Sequence, residues 1–388
     1  MLDTGVVNDR YPPVEPYASG FLEVTDGNVL YWESVGNPDG LPAVHLHGGP
    51  GGGSWPGARR YFDPAAYRAV LFDQRGCGRS VPLADNPGVD LDTNTTRHLV
   101  SDIEALRGHL GVDRWVVAGA SWGVTLALVY AQAHPERVIA MVLAAVTSGD
   151  RRETDWITRG VGRIFPREWE AFAAGVPEAE RDGDLSAAYA RLLASPDPAV
   201  RDEAARAWCA WEDTHISLMP GWEPSPDYAD PTFRSVFARM VTHYWSHGNF
   251  LADGHVLAGM PRLAGIPATL IHGRYDVSGP ADVAWQLHRA WPGSELVLLN
   301  DAGHGGGTFN EQITHALDGY RVLSLCTPGA RWPLLAVPQR ASSGMRTWAS
   351  GVPQPVTGSQ STVASAARAA GPRAEGRDAQ PRSWRVTW

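Results

Sequence analysis

The stretch that most constrains this chain is residues 116–123, where an apolar run ends in Gly119-Ala120-Ser121-Trp122-Gly123. The pentapeptide fits the pattern G-x-S-x-G, and a helix-forming run follows from Val124 to His134. The order is strand, sharp turn and helix, which a nucleophile elbow requires. Small residues on either side of Ser121 let the backbone crowd at such a turn. We therefore predict that Ser121 is a nucleophile at a helix N-terminus, where backbone N–H groups face developing negative charge.

The absence of lysine narrows the ways in which this serine can be activated. All 33 basic residues of the 388-residue chain are arginines. Schiff-base chemistry and a Ser-Lys dyad are therefore excluded, because both need a lysine amine. The base for Ser121 must be a histidine or a carboxylate.

Charge and composition argue against several classes of partner. The net charge is −9, which argues against a nucleic-acid partner. There is no run of 18 apolar residues, so we expect no membrane span, and residues 1–17 lack the pattern of a signal peptide. Cys77, Cys209 and Cys326 are scattered without metal or disulfide spacing, which is typical of a reducing compartment. We expect a cytoplasmic protein with no cofactor and no metal, and the oligomeric state is not readable from the sequence.

Strands that alternate with helices predict an α/β fold with a mostly parallel, doubly wound sheet. Residues 21–35 alternate around Asp26-Gly27, which predicts an antiparallel hairpin at the start of the chain. Further strands are predicted at 43–46, 67–72, 114–118, 138–146, 268–271 and 295–299. Helices are predicted at 95–110, 124–134, 281–291 and 309–323.

The strand pattern is interrupted once, which predicts the domain organisation. Residues 1–147 and 264–324 would form the two parts of the sheet domain. Residues 148–263 are helical, polar and rich in aromatic side chains, which predicts a cap inserted into that domain over the ligand-binding edge of the sheet. Residues 325–388 carry eight arginines against two acidic residues and no hydrophobic period, so we expect a disordered tail.

Two glycine-rich loops follow the first strands of the predicted parallel sheet. Residues 47–53 read His-Gly-Gly-Pro-Gly-Gly-Gly, and we interpret them as an oxyanion-hole loop. A phosphate cradle is disfavoured because no G-K-[ST] follows. Residues 73–80 form the second loop, in which we interpret Asp73 and Arg75 as an ion pair that fixes the loop.

An acid and a histidine follow the last two predicted strands, in the chain order Ser, Asp, His. Asp276 follows the strand at 268–271, and His304 lies in a glycine-rich loop after the strand at 295–299. His304 would accept the proton of Ser121, and Asp276 would hold its imidazole in the productive tautomer. Asp282 lies inside a predicted helix and Asp301 is too near His304 in sequence, so both are weaker candidates.

The other histidines do not suggest a second site. His215, His243 and His247 lie in the predicted cap, where a lone histidine is usually a packing or hydrogen-bonding residue. His243 and His247 are four residues apart but have no acidic partner that would make an H-E-x-x-H zinc motif.

The motifs taken together resemble the proline iminopeptidases, α/β-hydrolases that remove N-terminal proline from peptides. The resemblance covers about residues 15–323 and rests on H-G-G-P-G at 47–51, D-Q-R-G-x-G-x-S at 73–80, G-x-S-W-G at 119–123, and the loops around Asp276 and His304. It implies Ser121, Asp276 and His304 as a catalytic triad. It also implies Gly49 and Trp122 as oxyanion donors, and a small peptide with N-terminal proline as substrate.

The resemblance also implies where the substrate's amino group binds. The family uses two cap glutamates, one after a W-x-x-W pair, which Glu212 matches after Trp208 and Trp211. The second precedes a His-Tyr pair, and here Val241 stands in that position. We expect Glu212 to pair the ammonium group and Trp208, Trp211, Tyr244 and Trp245 to enclose the proline ring.

Two other functions remain open from the sequence. Val241 favours a serine hydrolase of the same fold that acts on a neutral ester, lactone or amide. A receptor that retains the fold without turnover is disfavoured by the complete set of Ser121, Asp276 and His304.

Overall fold

One sheet of eight strands organises the part of the chain that the computed structural model describes, residues 10–218 and 222–321. Its strands are β1 (Ala18–Glu23), β2 (Val29–Gly36), β3 (Leu41–Leu46), β4 (Tyr67–Phe72), β5 (Trp115–Ala120), β6 (Val138–Ala144), β7 (Ala268–Gly273) and β8 (Ser294–Leu299). Their order across the sheet is β1-β2-β4-β3-β5-β6-β7-β8. The first three in this order pair antiparallel, and every other pair is parallel. The predicted fold class is confirmed.

Helices cover both faces of this sheet, which explains why its central strands are apolar along their whole length. On β5, Val117 belongs to one hydrophobic core while Val116 and Ala118 belong to the other, as the two-residue side-chain period requires. The first face is covered by α1 (Thr96–His109), α2 (Trp122–Ala133) and α9 (Asp282–Ala290), and the second by α10 (Phe309–Arg321).

Between β6 and β7 the chain leaves the sheet and forms what we call the helical insertion, residues 145–267. Its described residues contain helices and no strand. The helices are α3 (Arg151–Thr158), α4 (Pro166–Ala174), α5 (Leu185–Leu193), α6 (Pro198–His215), α7 (Pro231–Ser246) and α8 (His255–Gly259). The insertion has its own aromatic core, which includes Phe172, Tyr189, Trp208 and Trp211. The domain boundaries proposed at residues 148 and 263 stay a prediction.

Most of the predicted elements are confirmed, with ends that differ by a few residues. The strand predicted at 67–72 is β4 to the residue, and the hairpin around Asp26 is the β1–β2 pair. The prediction of a disordered tail at 325–388 falls outside the described residues. Among the helices that are described, none is both long and apolar enough to cross a membrane.

Candidate active site

The turn between β5 and α2 places Ser121 where the sequence pattern predicts it. Ser121 has φ 55° and ψ −124°, a conformation that is costly for a residue with a side chain. Its N–H donates to the carbonyl of Ala144 on the neighbouring strand β6, at 2.9 Å. The backbone is therefore held in the strained turn by the sheet itself.

The flanking glycines are required by close backbone contacts. A Cβ on Gly119 would lie 2.5 Å from the carbonyl oxygen of Gly123, and one on Gly123 would lie 2.0 Å from that of Leu46. No side chain fits at such distances. The pattern G-x-S-x-G is thus the consequence of packing the elbow against itself and against β3.

Ser121, His304 and Asp276 form one hydrogen-bonded chain. His304 Nε2 lies 3.0 Å from Ser121 Oγ, and His304 Nδ1 lies 2.7 Å from Asp276 Oδ2. The Asp276 side chain is fully buried, and its Oδ1 accepts a further hydrogen bond from the N–H of Gly279 at 3.0 Å. The geometry therefore presents an aspartate-held imidazole to a serine hydroxyl.

Charged neighbours shift the pKa values of Asp276 and His304 away from their usual ranges. Burial alone would raise the pKa of Asp276, but the charge of His304 and its hydrogen bond to the carboxylate lower that pKa to about 2. Burial alone would lower the pKa of His304, but the negative charges of Asp276 and Glu212 raise it. Asp276 is therefore ionised at neutral pH, and it favours the imidazolium that forms when His304 takes a proton.

His272 helps to fix the loop that carries Asp276, a role that the sequence did not reveal. Its Nδ1 accepts from the N–H of Val146 at 3.1 Å, and its Nε2 donates to the carbonyl of Gly279 at 2.6 Å. An accepting Nδ1 and a donating Nε2 are the pattern of a neutral imidazole, and burial lowers the pKa of His272. This fixed tautomer ties the loop that carries Asp276 to the end of β6.

The glycine-rich loop at 47–53 reaches the same cavity, with Gly48 and Gly49 on its wall. His47 Nδ1 donates to the carbonyl of Gly48 at 2.9 Å, and His47 Nε2 accepts from the N–H of Gln74 at 3.0 Å. The Gln74 amide donates to the carbonyl of His47 and accepts from the indole N–H of Trp122, both at 3.0 Å. One side chain thus connects the two segments that carry the predicted oxyanion donors.

The predicted ion pair between Asp73 and Arg75 is wrong. Asp73 instead accepts hydrogen bonds from the backbone and the guanidinium of Arg79, both at 2.8 Å. Arg75 is fully buried and pairs with Asp102 on α1 at 2.6 Å. Arg75 and Arg79 were equally good candidates in the sequence. The position of α1 decides between them, because it brings Asp102 to Arg75 and leaves Asp73 to Arg79.

A cavity of about 980 Å³, counted out to its open mouth, lies between the sheet edge and the helical insertion. Ser121, Trp122 and His304 line it from the sheet side, and Glu212 and Trp245 line it from the insertion. Aromatic side chains that the sequence analysis did not select, Tyr228, Phe233 and Phe237, also lie on its wall.

Glu212 is the acidic side chain of α6 at this cavity, and only 8% of it is exposed. Its Oε1 accepts from the indole N–H of Trp208 at 2.9 Å, and its Oε2 lies 3.0 Å from His215 Nε2. His215, which the sequence suggested to be a packing or hydrogen-bonding residue, is thus the direct neighbour of the predicted amine-binding carboxylate.

Three of the four predicted ring-binding aromatics do not lie on the cavity wall. Trp208 and Trp211 are buried in the core of the insertion, and the Tyr244 hydroxyl donates to Asn94 at 2.8 Å. Trp245 lines the cavity and packs edge to face on Trp208, with ring centroids 5.6 Å apart. This placement supports Trp245 as a contact residue and Trp208 as a support for it and for Glu212. Val241 is fully buried in the same core.

In the part of the chain that the structure describes, no three His, Cys, Asp or Glu side chains are grouped so that they could hold a metal ion. Cys77 is buried, and burial raises the pKa of its thiol.

Comparison with known proteins agrees with this geometry. Residues 44–309 match the family model of the alpha/beta hydrolase fold. The chain is 53% identical over 315 residues to a probable proline iminopeptidase of Streptomyces coelicolor, an alignment that covers 80% of this chain and 97% of that protein. It is 47% identical to the proline iminopeptidase of Arabidopsis thaliana, over 77% of this chain and 78% of that one.

A solved structure shows the same fold. The proline iminopeptidase of Mycobacterium smegmatis superposes with a TM-score of 0.53 at 19% identity, over 79% of this chain and 100% of that one. The fold likeness and the higher sequence identities to the curated relatives together show that this chain belongs to the proline iminopeptidases of the alpha/beta hydrolase fold.

Proposed function

We propose that this protein is a serine-type prolyl aminopeptidase that releases N-terminal proline from peptides, with Ser121 as its nucleophile. The observation that carries this proposal is the continuous chain of hydrogen bonds from Asp276 through His304 to Ser121, at 2.7 and 3.0 Å. The family membership supplies the substrate class, since the relatives are named proline iminopeptidases.

In the first half of the reaction, Ser121 Oγ attacks the carbonyl carbon of the N-terminal proline while His304 Nε2 takes the hydroxyl proton. The carbonyl oxygen becomes an oxyanion, which the N–H groups of Gly49 and Trp122 would bind. In characterised enzymes the loss of one such donor costs about 3 kcal/mol of barrier. His304 then gives its proton to the leaving amine, which departs as the shortened peptide.

In the second half, water enters and His304 takes its proton. The resulting hydroxide attacks the prolyl ester on Ser121, and His304 returns the proton to Oγ. Free proline leaves and the starting state is restored. Glu212 would hold the secondary ammonium of proline throughout, because a desolvated ammonium without a carboxylate partner is costly.

A substrate panel tests this assignment on the wild-type protein. The p-nitroanilides of proline, alanine and hydroxyproline are compared with simple acyl esters, and a fluorophosphonate probe identifies the reactive serine by peptide mass. We expect the highest kcat/KM on the proline anilide and the label on Ser121. A protein that hydrolyses acyl esters but no aminoacyl anilide would contradict the aminopeptidase assignment.

One observation favours a second candidate, a hydrolase of neutral esters, lactones or amides. Val241 occupies the position of the second glutamate and is buried in an apolar core, so this position offers no charge to an ammonium group. The same panel separates the two functions, because a neutral substrate would then give the higher kcat/KM.

A further inference from the structure

A second carboxylate lines the cavity at a position that no motif marks. Glu153 lies in the first turn of α3, half-buried, and lines the same cavity as Ser121 and Glu212. Glu153 belongs to α3, the first helix of the helical insertion after β6, whereas Val241 belongs to α7, near the other end of the insertion. The cavity is therefore lined by two carboxylates, Glu153 and Glu212.

The Glu153 carboxylate is held in place by hydrogen-bond donors on the preceding loop. Its Oε2 accepts from the N–H of Ser148 at 3.1 Å, and its Oε1 accepts from the Ser148 hydroxyl and from the N–H of Asp150. The same loop is tied to the nucleophile, because the Thr147 hydroxyl donates to the carbonyl of Ser121 at 3.3 Å. The position of this carboxylate is thus fixed relative to Ser121 before substrate enters.

Within the described residues, no cationic side chain neutralises Glu153. In the described part of the chain no arginine or histidine lies within ion-pair distance of it, although two arginines precede it in sequence. Arg151 is directed to Asp184 at 3.7 Å and Arg152 to Asp282 at 3.4 Å. Burial, only partly offset by the hydrogen bonds from Ser148, raises the pKa of Glu153. The binding of a cation would stabilise a desolvated carboxylate of this kind.

One residue that lines the cavity has a buried polar atom for which the described residues offer no partner. His215 is 3% exposed, lines the cavity beside Glu212, and has no hydrogen-bond partner at Nδ1 among the described residues. Buried polar groups are rarely left unpaired in the state in which a protein functions. His215 is thus a lining residue next to Glu212 with an unused polar atom, which is consistent with a polar ligand in this cavity.

We infer that Glu153 is a second amine-binding residue, which holds the substrate's ammonium group together with Glu212 and takes over the role that a glutamate at position 241 would have had. The inference rests on the proposed function, since it concerns the same substrate. Two carboxylates match the secondary ammonium group of proline, because each of its two N–H donors can then bond to one carboxylate.

The experiment compares two substrates that differ by one group. Proline p-nitroanilide carries the ammonium, and cyclopentanecarboxylic acid p-nitroanilide has the same ring with a carbon in its place. We expect Glu153→Gln to lower kcat/KM on the proline anilide by about tenfold, mostly through KM, and to leave the cyclopentane analogue unchanged. Glu153→Asp should recover part of the loss because it retains the charge.

A matched control removes one charge from the same helix outside the cavity. Asp155 on α3 is exposed and does not line the cavity, so Asp155→Asn should change neither substrate's kcat/KM. Equal losses on both substrates in Glu153→Gln, with a lowered melting temperature, would mean that Glu153 only caps α3 and would overturn the inference. A wild-type protein that fails on the proline anilide would instead overturn the proposed function.

A second measurement does not depend on the folding of a Glu153 variant. In Glu212→Gln, a remaining preference for the proline anilide over the cyclopentane analogue is expected, because Glu153 still binds the ammonium. Complete loss of that preference would show that Glu212 is the sole amine-binding carboxylate and would overturn the inference.

Discussion

The two walls of the cavity are built in different ways. On the sheet side, Ser121, Asp276 and His304 each follow a parallel strand. Backbone N–H groups take part in the hydrogen bonds that fix Ser121 and Asp276. On the insertion side, Glu212 lies within α6, and side chains fix it, the indole of Trp208 and the imidazole of His215.

This difference separates two tasks. Reacting atoms need positions defined to a fraction of an ångström, which strand ends in a buried sheet provide. Substrate selection needs only a matched charge and an apolar slot, which helix side chains supply and can change one at a time. We therefore expect substitutions on the sheet side to reduce the hydrolysis of every substrate, and substitutions on the insertion side to act on aminoacyl substrates alone.

The largest effect is expected from Ser121→Ala on the sheet side. Because the members of a triad act as one unit, kcat should fall by about a thousandfold or more on both anilide and ester substrates. The melting temperature should change little, since the backbone strain at φ 55° is as acceptable for alanine as for serine. A variant that retains most of its activity would mean that the nucleophile lies elsewhere.

Asp276→Asn tests the charge rather than the nucleophile. In serine proteases the corresponding change costs about 10⁴-fold in kcat, and we expect a loss of that order here on every substrate. His304 acts as a base only when unprotonated, so kcat/KM falls as pH decreases through its pKa. Since the charge of Asp276 raises that pKa, the acidic limb of the profile should lie above the usual histidine range and move to lower pH in Asp276→Asn.

The pH profile is best measured on a neutral acyl ester, which does not itself titrate. An acidic limb that stays in place in Asp276→Asn would contradict the assignment of that limb to the pair of His304 and Asp276.

Glu212→Gln on the insertion side should lower the activity on aminoacyl substrates but not on neutral ones. We expect kcat/KM on the proline anilide to fall by about ten- to a hundredfold, which is about 1.4–2.7 kcal/mol, while neutral acyl esters are almost unaffected. Glu203→Gln is the matched control, since Glu203 is an exposed glutamate of the same helix that does not line the cavity. Equal losses on both substrates would remove Glu212 from amine recognition.

The smallest effect is expected from Trp208→Phe, which removes the indole N–H that Glu212 accepts. The hydrogen bond contributes about 1 kcal/mol, so kcat/KM on the proline anilide should fall severalfold. Trp211→Phe is the matched control, because its indole N–H is directed to the carbonyl of Ile157 instead. Both variants should lower the melting temperature, and a similar loss of activity in both would show that packing, and not the bond to Glu212, is responsible.

The sequence alone determined the sheet side of this protein. A nucleophile elbow, a glycine-rich loop, and an acid and a histidine after the last two strands are local patterns, since each is imposed by the backbone at one strand end. Parallel strands bring their carboxyl ends to one edge, so the order Ser121, Asp276, His304 already implied that these residues meet. The elements around them were predicted to within a few residues for the same reason.

Only the tertiary structure decided which partners the other side chains have. Arg75 and Arg79 were interchangeable in sequence, but α1 brings Asp102 to the first and leaves Asp73 to the second. Trp208 and Trp245 were equal candidates for substrate contact, and helix packing buried one and exposed the other to the cavity. No motif marked Glu153, and its place on the cavity depends on how the chain leaves β6. Side-chain contacts between distant helices depend on crossing geometry, which no local pattern encodes.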